Sequence, residues 1–303
     1  MKPPGERFPS VPPRTGFPLV SVVVATYNRP ETLPDCLRSI LRQTYPDMEI
    51  IVVNDAGIDV KEIIDSLNRK GNILYAAHPG NRGIAAARNT GIGMATGKYV
   101  AYLDDDDVYY PEHIETLVSA LENSDYKVAY TDANRGHQRA LNGRHAVTRR
   151  DVPYSSEFDY DRILVQNFIP TLCILHEKSC LEDTGRFDES LPVLEDWDLW
   201  IRLSRKYPFR HVRKVTCEFA WKMAGGTLTS SKRAMFRQTV EVIFAKHRDL
   251  AKEKPRVQKA QRNYLRGMKF LALMSRLLGE RSPSFQLLQN TLTTAYNWQN
   301  RFR

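Results

Sequence analysis

Residues 19–41 read LVSVVVATYNRPETLPDCLRSIL, and the fold follows from this stretch. Leu19 to Thr26 is a β-branched run without a charge, the pattern of a strand buried on both faces of a parallel sheet. Asn28-Arg29-Pro30 then marks a turn. Leu33, Leu37, Ile40 and Leu41 recur at helical spacing, with Pro30 placed for a first helical turn. The stretch is therefore a strand that feeds a helix.

The alternation continues outward from it. Strand Glu49 to Asn54, helix Val60 to Lys70, strand Ile73 to Ala77, helix Ile84 to Ala95, strand Tyr99 to Leu103, helix Glu112 to Asn123 and strand Val128 to Thr131 are predicted in turn. Strands and helices at this spacing imply an α/β fold with an open, mostly parallel sheet and helices on both faces. In such sheets ligands bind beyond the carboxyl ends of the strands. Those ends are acidic and aromatic here: Thr26-Tyr27-Asn28, Asn54-Asp55-Ala56-Gly57 and Asp104-Asp105-Asp106-Asp107. From Arg135 to Val152 the chain is polar and basic, contains Gly136 and Gly143, and reads as a mobile loop. Ile163 to Leu175 and Phe187 to Phe209 resume apolar patterning. After Gly226 the spacing is helical through Met235, Val240, Ile243 and Phe244, then Tyr264, Met268, Leu271, Leu273 and Met274, then Leu287, Leu288 and Leu292.

Composition narrows the class. With 303 residues, 42% hydrophobic and 26% charged, the chain has the balance of a globular protein rather than a disordered or collagen-like one. Its longest apolar runs fall far short of the roughly 20 residues that cross a bilayer. The first eighteen residues carry six prolines and no apolar core of a secretory signal, which implies a cytoplasmic protein. Cys36, Cys173, Cys180 and Cys217 show no C-x-x-C spacing and read as buried thiols in a reducing compartment. The net charge of +9 is uneven. Residues 232–303 hold 16 Lys and Arg against 4 Asp and Glu, whereas residues 1–231 hold 28 against 31. The basic C-terminal quarter suits nucleic acid, an anionic membrane surface or an acidic partner.

Four consecutive aspartates after an apolar strand repel one another and resist burial unless something positive compensates. A hard divalent cation such as Mg²⁺ or Mn²⁺ takes carboxylate oxygens and commonly shares its site with substrate phosphates. A calcium loop beginning at Asp104 fails, because its sixth position is Tyr109 where Gly is needed. The segment Gly91-Ile-Gly-Met-Ala-Thr-Gly97-Lys98 is not a phosphate-binding loop: its first Gly is one place too early, Tyr99 replaces Ser or Thr, and it precedes a strand rather than following one.

Three motifs together, VSVVVATYNRPETLPDCLRSILRQTYPDMEIIVVNDAG, NRGIAAARNTGIGMATGKYVAYLDDDDVYYP and LEDWDLWIRL, resemble the inverting family 2 glycosyltransferases of the A-type fold over about residues 19–230. The resemblance implies a leader over 1–18, a catalytic domain over 19–230 and a basic helical region over 231–303. Within the catalytic domain, residues 19–132 would bind nucleotide and 133–230 acceptor. The implied donor is a nucleotide diphosphate sugar. Tyr27 matches the residue that stacks on the base, Asp55 the carboxylate that accepts a base N–H, and Ala25 and Asn28 line the same pocket. Asn81, Gly83, Arg88 and Asn89 match the N-x-G…A-R-N segment that approaches the nucleotide, with a local salt bridge as the alternative role for Arg88. In the D-x-D motif, Asp106, with Asp104, would hold Mn²⁺ or Mg²⁺, and Asp104 or Asp105 would lie near the ribose.

The same resemblance implies that Asp196 of the E-D motif removes the acceptor proton while Glu195 positions it. One of Glu195, Asp196 and Asp198 is expected to cap the helix that follows. Trp200 reads as core, and Trp197 and Trp221 as candidates to line the acceptor site. Where many relatives carry a metal-binding histidine, this chain reads Trp221-Lys222-Met223-Ala224-Gly225-Gly226, which leaves the third metal ligand unassigned. The implied acceptor is a glycan or a lipid-linked sugar in cell-surface polysaccharide assembly. The basic C-terminal region would touch anionic membrane at the cytoplasmic face, and nucleic acid is not expected as a partner. The competing readings are a nucleotidyltransferase and an inactive scaffold subunit. The first usually needs a Gly/Arg/Lys-rich signature near the first strand, which ATYNRP lacks; intact Asp106 and Asp196 speak against the second.

Overall fold

The computed structural model describes residues 16–141, 144–222 and 233–278. Of these, 16–158 and 168–222 build one compact unit, and 159–167 with 233–278 build another. The first unit carries a single sheet of nine strands. β1 (Val20–Thr26) lies between β2 (Met48–Asn54) and β4 (Tyr99–Asp104), with β3 (Ile73–Ala77) outside β2, and these four run parallel. Every residue of β1 is buried, which accounts for its charge-free, β-branched composition. The sheet then turns mixed. β8 (Ile174–Glu177) pairs antiparallel with β4 and with β6 (Val128–Leu141). β6 runs parallel to β9 (Phe209–Lys222), and β5 (Val108–Tyr109) is antiparallel to β9.

Helices cover this sheet as the periodicity demands. α1 (Leu33–Leu41) buries Leu33, Cys36, Leu37 and Ile40, one face at i, i+3, i+4 and i+7, and each large side chain there contributes roughly 1.5–3 kcal/mol. The helix begins later than Pro30; Pro34 occupies its first turn instead, where the missing N–H costs nothing. α2 (Lys61–Leu67), α3 (Ile84–Met94) and α4 (His113–Glu122) follow in order. α3 lies so close to β1 that a Cβ on Gly91 would sit 2.4 Å from Val23 Cγ1. The turn after α3 is structural. Thr96 and Ser21 donate to the buried Glu49 carboxylate, and the Gly97 N–H donates to Ser21 Oγ at 2.9 Å. The glycines of this segment serve close packing, in keeping with the rejection of a phosphate loop.

The predicted loop over Arg135–Val152 is instead an extended hairpin. β6 continues to Leu141 and pairs with β7 (Arg144–Asp151) on one side and β9 on the other. Its polar character comes from two exposed faces rather than from irregular backbone, and Gly136 is there because a Cβ would meet Glu218 Oε1 at 2.8 Å. After the single turn of 3₁₀ helix at Thr171–Cys173 come α5 (Cys180–Thr184) and α6 (Glu195–Ser204). All four cysteines are free and buried. In the second unit, α7 (Arg233–Lys246), α8 (Arg248–Ala251) and α9 (Pro255–Leu278) pack with residues 159–167: Lys254 Nζ donates to Asp161 at 2.5 Å and Gln261 Nε2 to the Leu164 carbonyl at 2.8 Å. Most of the leader expected over 1–18, and the helical pattern at Leu287, Leu288 and Leu292, lie outside the described residues.

Candidate active site

The register of β1 gathers the polar strand ends. Thr26 stands opposite Asn54 of β2, and Ala25 opposite Asp104 of β4, so Tyr27, Asp55 and the four aspartates meet along one sheet edge. Tyr27 is 48% exposed and offers a free aromatic face there, while Ala25 is buried beneath. Asn28 adopts left-handed backbone (φ 54°), and its Oδ1 accepts the Ile58 N–H at 2.9 Å.

Asp55 is 4% exposed and organises the neighbouring turn. Its carboxylate accepts the Arg82 N–H at 2.9 Å and the Gly83 N–H at 2.7 Å, and it pairs with His78 Nδ1 at 2.7 Å. Gly83 takes φ 91° at the start of α3, a region open to glycine. Asn81 Nδ2 donates to the Asp55 carbonyl. Asn89, by contrast, points to the protein: it exchanges hydrogen bonds with the Phe187 backbone and donates to Glu189.

The positive charge demanded by the aspartate run comes from two arginines. Arg29 Nη1 lies 2.9 Å from Asp105 and 2.8 Å from Asp106. Thr26 Oγ1 also donates to Asp105, at 2.7 Å. Burial still pushes the Asp105 carboxyl up to about 6. Asp107 is held at the edge of the sheet by accepting the Ala220 N–H at 2.9 Å, and burial with Asp106 beside it raises its pKa. Arg88, whose side chain is 3% exposed, bridges the D-x-D and E-D motifs: Nη2 donates to Asp104 at 2.6 Å and Nη1 to Glu195, 107 residues along the chain from Arg88, at 2.5 Å. Its guanidinium also lies 5.4 Å from the Phe187 ring centroid. Burial pushes the Glu195 carboxyl upward against the pull of Arg88.

Glu195 and Asp196 open α6 after Leu194, which is left-handed at φ 62°; no side chain caps the helix. The expected cap therefore fails, and Asp198 is instead fully buried in an i,i+4 pair with Arg202 at 2.8 Å. Asp196 is oriented from two sides, accepting from Thr171 Oγ1 at 2.9 Å and from the Trp197 N–H at 2.7 Å. Trp197 is 1% exposed and its ring belongs to the core with Trp200, so it has no face for an acceptor. Trp221 is partly exposed, with the Arg135 guanidinium 5.4 Å from its ring centroid. Sequence reading missed Arg29, His78 and Thr171. Arg29 was legible as the cation beside an acidic strand end; nothing local marks Thr171.

The donor set of the aspartate run suits a hard cation, but among the described residues no three His, Cys, Asp or Glu side chains are arranged to hold one. Residues 223–226 of the departing glycine-rich segment lie outside the described residues.

Residues 21–182 match the family described as Glycosyl transferase family 2. The chain is 30% identical over 232 residues to the uncharacterized glycosyltransferase YwdF of Bacillus subtilis strain 168, covering 75% of this chain and 84% of that one. It is 38% identical over 204 residues to a Haemophilus influenzae glycosyltransferase and spans 61% of that protein and 62% of its own length. Among solved structures, S. aureus TarS 1–349 superposes with a TM-score of 0.61 at 18% identity, covering 88% of this chain and 76% of that one; it has also been solved with UDP-GlcNAc. The mannosyltransferase PcManGT from Pyrobaculum calidifontis, in complex with GDP-Man and Mn²⁺, gives 0.59 at 18% identity, covering 94% and 82%. At these identities the structural likeness concerns the fold. Family match, curated relatives and fold agree: the chain belongs to glycosyl transferase family 2 and is a glycosyltransferase.

Proposed function

We propose that the protein transfers a sugar from a nucleotide diphosphate sugar to an acceptor hydroxyl with inversion at the anomeric carbon, in the assembly of a cell-surface glycan. The observation that carries this reading is the Arg88 bridge, which ties the E-D motif to the acidic end of β4. The exposed ring of Tyr27 would stack on the base of the donor. The Asp55-braced turn at Gly83 presents the start of α3 to it. Asp196 would accept the proton of the acceptor O–H. The oxygen then forms its bond to the anomeric carbon as the bond to the diphosphate breaks, and the electron pair leaves with the nucleoside diphosphate. Thr171 and the Trp197 N–H hold the Asp196 carboxylate in one orientation for that transfer. A divalent cation held by Asp106 and Asp104 would supply charge for the departing diphosphate.

The test is donor hydrolysis across UDP- and GDP-sugars, read as nucleoside diphosphate release. A transferase releases the diphosphate slowly without acceptor; release of pyrophosphate would point to a nucleotidyltransferase, and no release to a scaffold. Asp196→Asn is expected to lose about 10²-fold or more in transfer while keeping donor affinity.

The acceptor reading extends to a membrane. Between Lys254 and Gly279 the sequence has no Asp or Glu, and α9 exposes Phe270, Leu273 and Leu277 at helical spacing beside Lys269, Arg266 and Arg262. No described helix is long and apolar enough to cross a membrane. Anionic lipid is the proposed contact, at about 1 kcal/mol per well-placed cation. Salt-sensitive flotation with phosphatidylserine liposomes, lost in Phe270→Ser/Leu273→Ser, tests it; flotation unchanged by salt or by the substitutions refutes it.

A further inference from the structure

The β6–β7 hairpin has two chemically different faces. On one, Glu218 receives Arg150 and the Tyr110 hydroxyl, and the side chains close over Gly136. The other face is basic. Arg135 and His137 of β6 both reach Asp151 of β7, and Arg149 stands opposite His137 with Nη2 3.6 Å from Asp151. Period-two alternation puts Arg139 on the same side, opposite the small Ala146. An irregularity at His137/Gln138 skips Thr148 and is what keeps Arg149 on this face rather than the other. Asp151, held down to about 2 chiefly by its hydrogen bond from Arg135, balances one guanidinium; Arg139 and Arg149 are exposed, Arg149 at 68%, and leave the face positive.

The same face carries an aromatic ring at its end nearest the site. Trp221 pairs with His137 in the β6–β9 register, and Arg135 lies over its indole. Its neighbour Ala220 donates its N–H to Asp107, so β9 joins this face to the acidic turn after β4. An aromatic ring suits the apolar face of a sugar, and guanidinium groups at strand spacing suit anionic substituents along a chain.

We infer that this basic hairpin face is the track for an acidic glycan acceptor, one bearing negative charge along the chain. The inference rests on the glycosyl-transfer reading and specifies its acceptor. The chain enters across Trp221, and its charged substituents pair with Arg149 and Arg139. Those two residues lie outside the donor and proton-transfer groups, so their role is in acceptor affinity alone.

The experiment is titration of the full chain with size-matched oligosaccharides: uronate-bearing, phosphate-bearing and neutral. Donor hydrolysis is measured alongside. Expected are salt-sensitive binding of an acidic oligosaccharide, no measurable binding of the neutral one, about tenfold weaker acidic binding in Arg139→Glu/Arg149→Glu, and unchanged donor hydrolysis in that variant. The uronate and phosphate arms distinguish the source of the charge. Binding of the neutral oligosaccharide as tight as the acidic ones, absence of acidic binding, or acidic binding indifferent to the double substitution overturns the inference. So does a hairpin-dependent preference for duplex DNA or anionic vesicles over the oligosaccharides. Failure of the wild-type chain to release nucleoside diphosphate from any donor would instead fault the glycosyl-transfer reading.

Discussion

Replacing Arg88 by Met keeps most of the side-chain volume and removes the charge that links β4 to α6. The loss follows from burial. Glu195 is 6% exposed and would be left beside Asp196 and Asp104 with no cation, whereas Asp104 is 34% exposed and can recover water. Breaking a buried pair from one side costs about 3–5 kcal/mol. With one of the two carboxylates 34% exposed, the lower part of that range, about 3 kcal/mol, is expected. For a unit of this size that is a fall of roughly 6–12 °C in Tm. The assay is denaturant unfolding at pH 7 of wild type, Arg88→Met, Glu195→Gln and the double variant. The double variant should return to within about 1 kcal/mol of wild type, because no buried charge remains, which gives a coupling of at least about 2 kcal/mol once the cost of Glu195→Gln alone is added. A raised carboxyl binds its proton in the native state at a pH where the unfolded chain has released it, so native stability falls as pH rises through that window. The deficit of Arg88→Met should accordingly narrow toward pH 5. A single-variant loss below about 1 kcal/mol, or no rescue by Glu195→Gln, refutes the reasoning.

Three further outcomes are expected. Thr171→Val removes a hydrogen bond to a charged acceptor, worth about 1.5–3 kcal/mol, and should lower kcat by roughly 10–100-fold with the donor KM within about twofold; Thr171→Ser should restore it, and equal loss in both variants would deny the positioning role. Gly91→Ala drives a Cβ into Val23 and should cost about 1–3 kcal/mol in thermal unfolding, with Val23→Ala added as the relieving change; a neutral Gly91→Ala would mean that α3 shifts freely on the sheet. Asp151 titrates low in the native state, so its stabilisation is present above the ordinary carboxylate pKa and is lost as pH falls toward about 2. Wild type should lose more stability than Asp151→Asn between pH 4 and 2, and parallel curves would contradict this.

The parallel half of the sheet was legible because β1, β2 and β4 are buried on both faces and their composition is forced by that burial. Their polar ends were legible for the converse reason: Asp104 to Asp107 interrupt an apolar run at the place where an open sheet binds ligands. The β6–β7 hairpin was not. With solvent on its faces and a bulge in its register, it shows neither the alternation of a half-buried strand nor the run of a core strand, and its glycine answers a side chain 82 residues further on. Trp197 was misjudged because both sides of the start of α6 are occupied, one by core and one by the E-D carboxylates. Thr171 depends on a contact across the chain that local pattern does not encode.

The second compact unit takes residues 159–167 from the middle of the chain as well as the C-terminal helices. It therefore has no single cut point. A truncation before Lys232 removes the partners of Asp161 and Leu164, and those nine residues run directly into Phe168 and the turn that bears Thr171. The C-terminal region thus cannot be exchanged between relatives as a cassette. A graft must carry the internal segment with it, and a new C-terminal partner would have to be selected together with the stretch of chain that leads to the turn holding Asp196.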